Sequence, residues 1–379
     1  MRPEQRASLL AAKLRTLVTD ESGRWRRVAS ALEVAPFAAG SGLRDPSTGT
    51  AWLLVAPKIV QAHIDSGLEE ATDPNPRGWL GGAMVLAHRL AIVELHVLLD
   101  AVTGHDARRA AVFTGGDNDS AVIGGVRVDG GVGVVSPQIW RVVGRSVEPV
   151  AAEVAVVVPA SKDQLARFAT LISASGATLV VDHGVVRAEA LGLEVGRVVT
   201  GEDGFDRLDV GVGKHDRLAN AMMGNDRDPE GSLRNAVEAV LAFRRAGAPP
   251  HPANQLARER WLREIVRTHP GLAVDSDLVG PAGLVPIESS HPAALKTLGP
   301  ALLQGRRVIV ACSVGLDLDA LVDAADIRDR VAPASTVVLV VPAPDAFPAL
   351  HTMANLIPNA SLVTVPEAWS DAASTTAAN

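Results

Sequence analysis

Tyrosine is absent from this 379-residue chain, cysteine occurs once, and only six Trp and six Phe are present. A single thiol, Cys312, excludes a disulfide framework and a cysteine-based zinc site. So few rings leave little platform for stacking unpaired bases, and a net charge of −7 provides no broad cationic field for a polyanion. A large nucleic-acid surface is therefore disfavoured. No apolar run reaches the roughly 18 residues that span a bilayer. The opening Met-Arg-Pro-Glu-Gln-Arg lacks the apolar stretch of a secretory signal. These absences read as a cytoplasmic protein in a reducing compartment, with the Ala, Val, Gly and Arg bias of a GC-rich bacterial genome.

Hydrophobic residues make up 47% and charged residues 21%, the balance of a folded globular chain with an aliphatic core. The length exceeds what one core organises, so two or three domains are expected. Leu10, Leu14, Leu17 and Val18 trace one face of an opening helix. Apolar runs at Ala51–Ala56 and Ile92–Leu99 read as strands, Leu80–Leu90 and Ala107–Phe113 as helices, and Gln138–Val150 as a hairpin. Together they form an N-terminal α/β domain over residues 1–157. Gly115–Gly133, with its Gly-Gly pairs, reads as a loop.

A middle unit over 158–246 opens at Ser161 as an N-cap, with Leu165, Phe168 and Ile172 on one helical face. Its expected order is α-β-β-β-α, with two strands in Ala177–Val199 turning at Asp182-His-Gly184. Gly247-Ala-Pro-Pro-His-Pro252 reads as a linker (247–254), because proline and glycine cannot continue the preceding helix. The C-terminal unit over 255–366 alternates helices and strands, and 367–379 reads as a flexible tail. The predicted class is thus α/β, multidomain, with mixed sheets flanked by helices.

In the C-terminal unit, Glu259–Glu264 through His269-Pro-Gly271 looks like an opening helix. Arg306–Ser313 looks like a strand, Leu318–Asp329 a long helix and Val337–Pro342 the following strand. This α-β-β-β-α-β pattern resembles the restriction-endonuclease-like, or PD-(D/E)xK, nuclease superfamily, particularly the C-terminal domains of mismatch endonucleases. The resemblance implies a Mg²⁺ site between an Asp and a Glu, with a Lys beside the attacking water. At the E-x-K position this chain reads Ala311-Cys312-Ser313, and Lys296 and Thr297 stand where the Asp would be. Those residue types cannot assemble a magnesium site. A degenerate, non-catalytic relative is expected, acting as a binding or scaffold module for a protein partner or a nucleic-acid-processing complex.

The middle unit supplies an enzymatic alternative. Glu194 and Asp209 fall on neighbouring strands and could ligate Mg²⁺, with Lys214 or His215 positioning water in a nuclease or phosphodiesterase. Alternating polar and apolar residues equally predict that both acids face solvent. Gly211-Val-Gly-Lys214 lacks P-loop spacing. A third alternative, nucleotide binding by the C-terminal half, has only Gly315 in Ser313–Leu316 to build a phosphate loop. Glu94 and His96 share one strand face and read as a surface pair, Trp140 as hairpin packing. Asp317 and Asp319 read as strand terminator and helix cap, Cys312 as a core thiol.

Overall fold

The computed structural model describes residues 3–374 except 21–22, 57, 65–66, 74–76, 114–121, 124–125, 128–135, 155–158, 223–227 and 288–299. Lys296, Thr297 and most of the expected Gly115–Gly133 loop lie outside the described residues. The architecture is α/β, with three main sheets flanked by helices. Among the described residues no helix is long and apolar enough to cross a membrane.

The first unit runs α1 (Pro3–Thr19), β1 (Glu33–Ala35), β2 (Gly40–Asp45), β3 (Thr50–Val55), β4 (Lys58–Ile64), β5 (Gly67–Asp73) and α2 (Trp79–Arg89). It continues through β6 (Glu94–Leu99), α3 (Gly104–Ala111), β7 (Val122–Ile123), β8 (Val126–Arg127), β9 (Pro137–Val143) and β10 (Ser146–Pro149). Its sheet has the order β1-β2-β3-β6-β9-β10, while β4–β5 and β7–β8 are separate hairpins. The β3–β6 and β6–β9 pairs are parallel, and each is joined by a helical crossover. Alternation along β3 sends Trp52 and Leu54 toward Leu14, Leu17 and Val18 of α1, and Leu53 toward the opposite core under α2 and α3.

The middle unit comprises α4 (Lys162–Ala174), β11 (Thr178–Asp182), β12 (Val185–Ala190), β13 (Leu193–Thr200), β14 (Asp206–Val210), α5 (Gly213–Met222) and α6 (Pro229–Phe243). Ser161 accepts a hydrogen bond from the Gln164 amide at 3.4 Å, as its N-cap reading requires. The strands form an antiparallel meander of four, one more than the sequence reading gave. A second tight turn explains the difference. Leu191 (φ 43°) and Gly192 (φ 77°) reverse the chain just as His183 (φ 51°) and Gly184 (φ 75°) do, but Leu-Gly is not one of the usual hairpin dipeptides.

The last unit runs α7 (Arg258–Thr268), α8 (Ser276–Val279), β15 (Val285–Ile287), β16 (Ala301–Gln304), β17 (Val308–Cys312), α9 (Ala320–Val331), β18 (Thr336–Pro342), α10 (Pro348–Leu356) and β19 (Ala360–Val365). Its sheet order is β15-β16-β17-β18-β19, antiparallel up to β17 and parallel from β17 to β19. The expected tail begins differently. Trp369 is buried and packs edge-on against Trp261, ring centroids 5.3 Å apart, so burial of one large ring pins this stretch to α7.

The first and last units repeat one another. The cross-strand row Glu33–Arg44–Ala51–Leu95–Pro137 corresponds to Val285–Gln304–Ile309–Val337–Ala360. The row Ala35–Gly42–Leu53–Val97–Ile139 likewise matches Ile287–Leu302–Ala311–Leu339–Leu362. Strand order, direction and register all coincide over five strands, and the flanking helices α1, α2 and α3 match α7, α9 and α10. The units face each other reciprocally, α2 against α10 and α3 against α9, as an approximate two-fold axis requires. One continuous apolar core runs from Leu53 and Val97 through these helices to Ala311 and Leu339.

Charge breaks the symmetry of that junction. On the α3–α9 side, Arg109 bonds Asp323 at 2.8 Å and Asp319 at 2.9 Å, and Arg108 bonds Asp326 at 2.8 Å. Arg77, just before α2, spans Asp317 and Asp323, each at 2.6 Å. The sequence pattern reads Asp319 as a cap of its own helix. It instead accepts the Gly81 amide of α2 at 2.8 Å, so it caps the opposite unit's helix. A Cβ on Gly81 would lie 2.3 Å from the Leu318 carbonyl oxygen, so this close crossing requires glycine.

Candidate functional site

The middle sheet has one apolar and one ionic face. Val186, Ala188, Leu193 and Val195 pack under α4 and α6, and the alternate residues Arg187, Glu189, Glu194 and Asp209 point away. Glu189 is fully buried and bonds Arg263 and, at 2.9 Å, Arg260, both on α7. Thr178 of β11 donates to Glu264 of α7 at 3.2 Å. The ionic face is therefore the seat of the middle unit on α7. At its edge Gly192 lies against the Arg260 backbone, where an added Cβ would be only 2.2 Å away.

Glu194 stands where α5 meets this face. Its carboxylate accepts from Arg187 at 2.9 Å, Arg197 at 2.7 Å and Arg217 at 3.2 Å. Burial alone would raise its pKa, but the three guanidinium groups overcome that and hold it below the ordinary carboxylate range. Asp209 accepts from Arg207 at 3.0 Å and lies opposite Arg197 in the β13–β14 ladder. The two acids proposed as metal ligands are thus each engaged by arginine. Lys214 and His215 lie in the first turn of α5, and their side chains are outside the described residues. Among the described residues no group of three or more His, Cys, Asp or Glu is arranged to hold a metal ion.

The remaining sequence candidates divide between core and junction. Ala311 and Cys312 are fully buried and Ser313 is 2% exposed, so the E-x-K position lies inside the last unit. Burial pushes the Cys312 thiol up to about 12, which leaves it protonated and unreactive. The Asp317 carboxyl is raised by desolvation, with Arg77 offsetting part of that effect. Comparisons with protein-family models, curated proteins and solved structures find no match.

His96 corrects the surface-pair reading of Glu94 and His96. It is 3% exposed, with Trp25, Trp52 and Trp140 at ring-centroid distances of 5.1, 5.8 and 5.8 Å. Trp140 Nε1 donates to His96 Nδ1 at 3.2 Å, so the neutral ring carries its proton on Nε2, 3.3 Å from Glu94 Oε1. Desolvation drives the His96 pKa down to about 4, against the pull of Glu94. Three of the six Trp residues meet here. The apolar run along β3 marks Trp52 as core, and the hairpin pattern of β9 marks Trp140. Only the fold brings Trp25 over them.

Proposed function

We propose that this chain is a non-catalytic binding or scaffold protein whose last unit is a degenerate nuclease-like fold. It would serve a protein partner or a nucleic-acid-processing complex. The observation that carries the reading is the sealed strand at the E-x-K position, where Ala311-Cys312-Ser313 offers neither an acid nor a lysine to solvent. The element order α7-α8-β15-β16-β17-α9-β18, in which the single-turn α8 is added to the expected pattern, supports the resemblance, and the recurrence of the strand order in the first unit gives two such layers for display.

Two alternatives, one an enzyme and one a nucleotide-binding protein, have less support. A magnesium site at Glu194 and Asp209 would place a dication among Arg187, Arg197, Arg207 and Arg217, where like charge opposes it. A nucleotide phosphate loop at Ser313–Leu316 needs free amides, yet the Gly315 amide already donates to Asp345 at 2.8 Å.

The test is calorimetric titration of Mg²⁺ and Mn²⁺ into the intact protein and a Glu194→Ala, Asp209→Ala double variant, alongside cleavage assays on DNA and RNA. The scaffold reading expects no metal-dependent cleavage in either. Metal-dependent cleavage that disappears in the double variant would overturn it.

A further inference from the structure

We propose that the cluster of Arg187, Arg197 and Arg217 beside α5 is a binding site for a dianionic phosphoryl group. The inference does not depend on the nuclease-like reading and concerns a ligand of the opposite charge to the metal expected from the sequence.

Three observations converge on this corner. First, cations gather tightly here. Arg187, Arg197 and Arg217 all converge on the one carboxylate of Glu194, within a chain of net charge −7. A phosphomonoester, which carries about −1.5 to −2 near neutral pH, offers such a cluster more charge and more acceptor oxygens than one carboxylate does.

Second, Arg187 presents an unused fork. Its Nη1 reaches Glu194 at 2.9 Å and Asp182 at 3.2 Å, while Nε and Nη2 are buried and have no partner among the described residues. The residue is only 3% exposed. Nε–H and Nη2–H lie on one edge of the guanidinium and match two oxygens of a single oxyanion. Among the described residues Arg187 is the one side chain with two such buried donors, which gives it capacity for a further acceptor.

Third, the chain turns from β14 into α5 through Gly211 (φ 142°) and Gly213 (φ 83°), and a Cβ on Gly213 would meet nothing within 4 Å. Among the described residues the position beside the first residue of this ten-residue helix is thus open, at the end of α5 where backbone amides point outward and Asp216 is the acidic residue of the first turn. Arg197 and Arg217, with 27% and 14% of their side chains exposed, give access from solvent. In the ligand-free protein Glu194 accepts one bond from each of the three arginines. An entering phosphoryl group competes with that carboxylate.

Thermal shift and calorimetry with inorganic phosphate, and separately with glycerol phosphate, test the site against sodium chloride at matched ionic strength. A saturable response to both phosphates assigns the site to any phosphoryl dianion; a response to glycerol phosphate alone assigns it to phosphomonoesters. Arg217→Gln should weaken binding by about tenfold or more, with Arg197→Gln replacing it if that variant does not fold. Glu194→Gln should tighten binding severalfold while lowering stability, because it removes the competitor. Arg234→Gln, in an exposed pair with Glu230, should change nothing. A response no larger than that to chloride, unchanged affinity in the arginine variant, or weaker binding in Glu194→Gln would each overturn the proposal.

Discussion

Replacing Arg109 with Met should separate the two repeated units more than any surface change can. The methionine keeps most of the side-chain volume and removes the charge. Arg109 is 2% exposed, and its partners Asp319 and Asp323 are 1% and 0% exposed. Removing one member of a buried ion pair costs about 3–5 kcal/mol, because the remaining charge stays desolvated. Two partial replacements pull the expectation to the lower end. Asp323 keeps Arg77 at 2.6 Å, and Asp319 keeps the Gly81 amide at 2.8 Å. The expected loss is therefore about 3 kcal/mol. Urea unfolding at pH 7 followed by tryptophan fluorescence reads it, since buried Trp79 lies on α2 at the junction. High salt should not mimic the variant, as buried pairs are poorly screened. Combining Arg109→Met with Asp323→Asn should cost at least about 1 kcal/mol less than the sum of the single losses. A loss below about 0.5 kcal/mol, the range of surface substitutions, or strict additivity in the double variant would refute the clamp.

Acid should weaken the protein through His96. Its folded pKa of about 4 lies below the ordinary value of 6.5, so the unfolded chain takes up the proton first. The stabilisation is complete above about pH 6.5 and is lost as pH falls toward 4, up to roughly 3 kcal/mol. His96→Gln should flatten that part of a urea-midpoint profile, and an unchanged slope would count against it. Gly192→Ala places a Cβ 2.2 Å from the Arg260 backbone at a φ of 77°, so it should cost at least about 2 kcal/mol and loosen the middle unit from α7, read by hydrogen exchange in α7. Arg244 is 1% exposed, donates to the carbonyls of Leu191, Ala253 and Leu256, and stacks 4.7 Å from the Trp261 ring. Arg244→Met should leave those carbonyls without their partner and speed proteolysis within residues 247–257 severalfold, whereas an unaltered digest would show that the linker holds without it.

Local pattern alone determined much of this protein. Helical spacing located α1 through Leu14, Leu17 and Val18 and α4 through Phe168 and Ile172, and a short β-branched run located β17. These features are legible because burial of a face imposes a period of 3.6 or 2 on the chain itself. Composition likewise ruled out disulfides and a broad cationic surface. The acids near α5 were also visible, but the sign of their environment was not.

What the fold alone decided are relations between distant residues. Arg77 and Asp317 are 240 positions apart, Arg109 and Asp323 214, and Arg263 and Glu189 74. A charged residue's partner is fixed by how elements pack, and hydrophobic periodicity names a buried face without naming what covers it. The repeat shows the same limit. In the two matched rows of five strands no residue is identical, and pairs such as Gly42 with Leu302 and Arg44 with Gln304 differ in size or charge, because ladder hydrogen bonds join backbones and not side chains. Backbone pairing carries the repeat, and only the tertiary structure displays it.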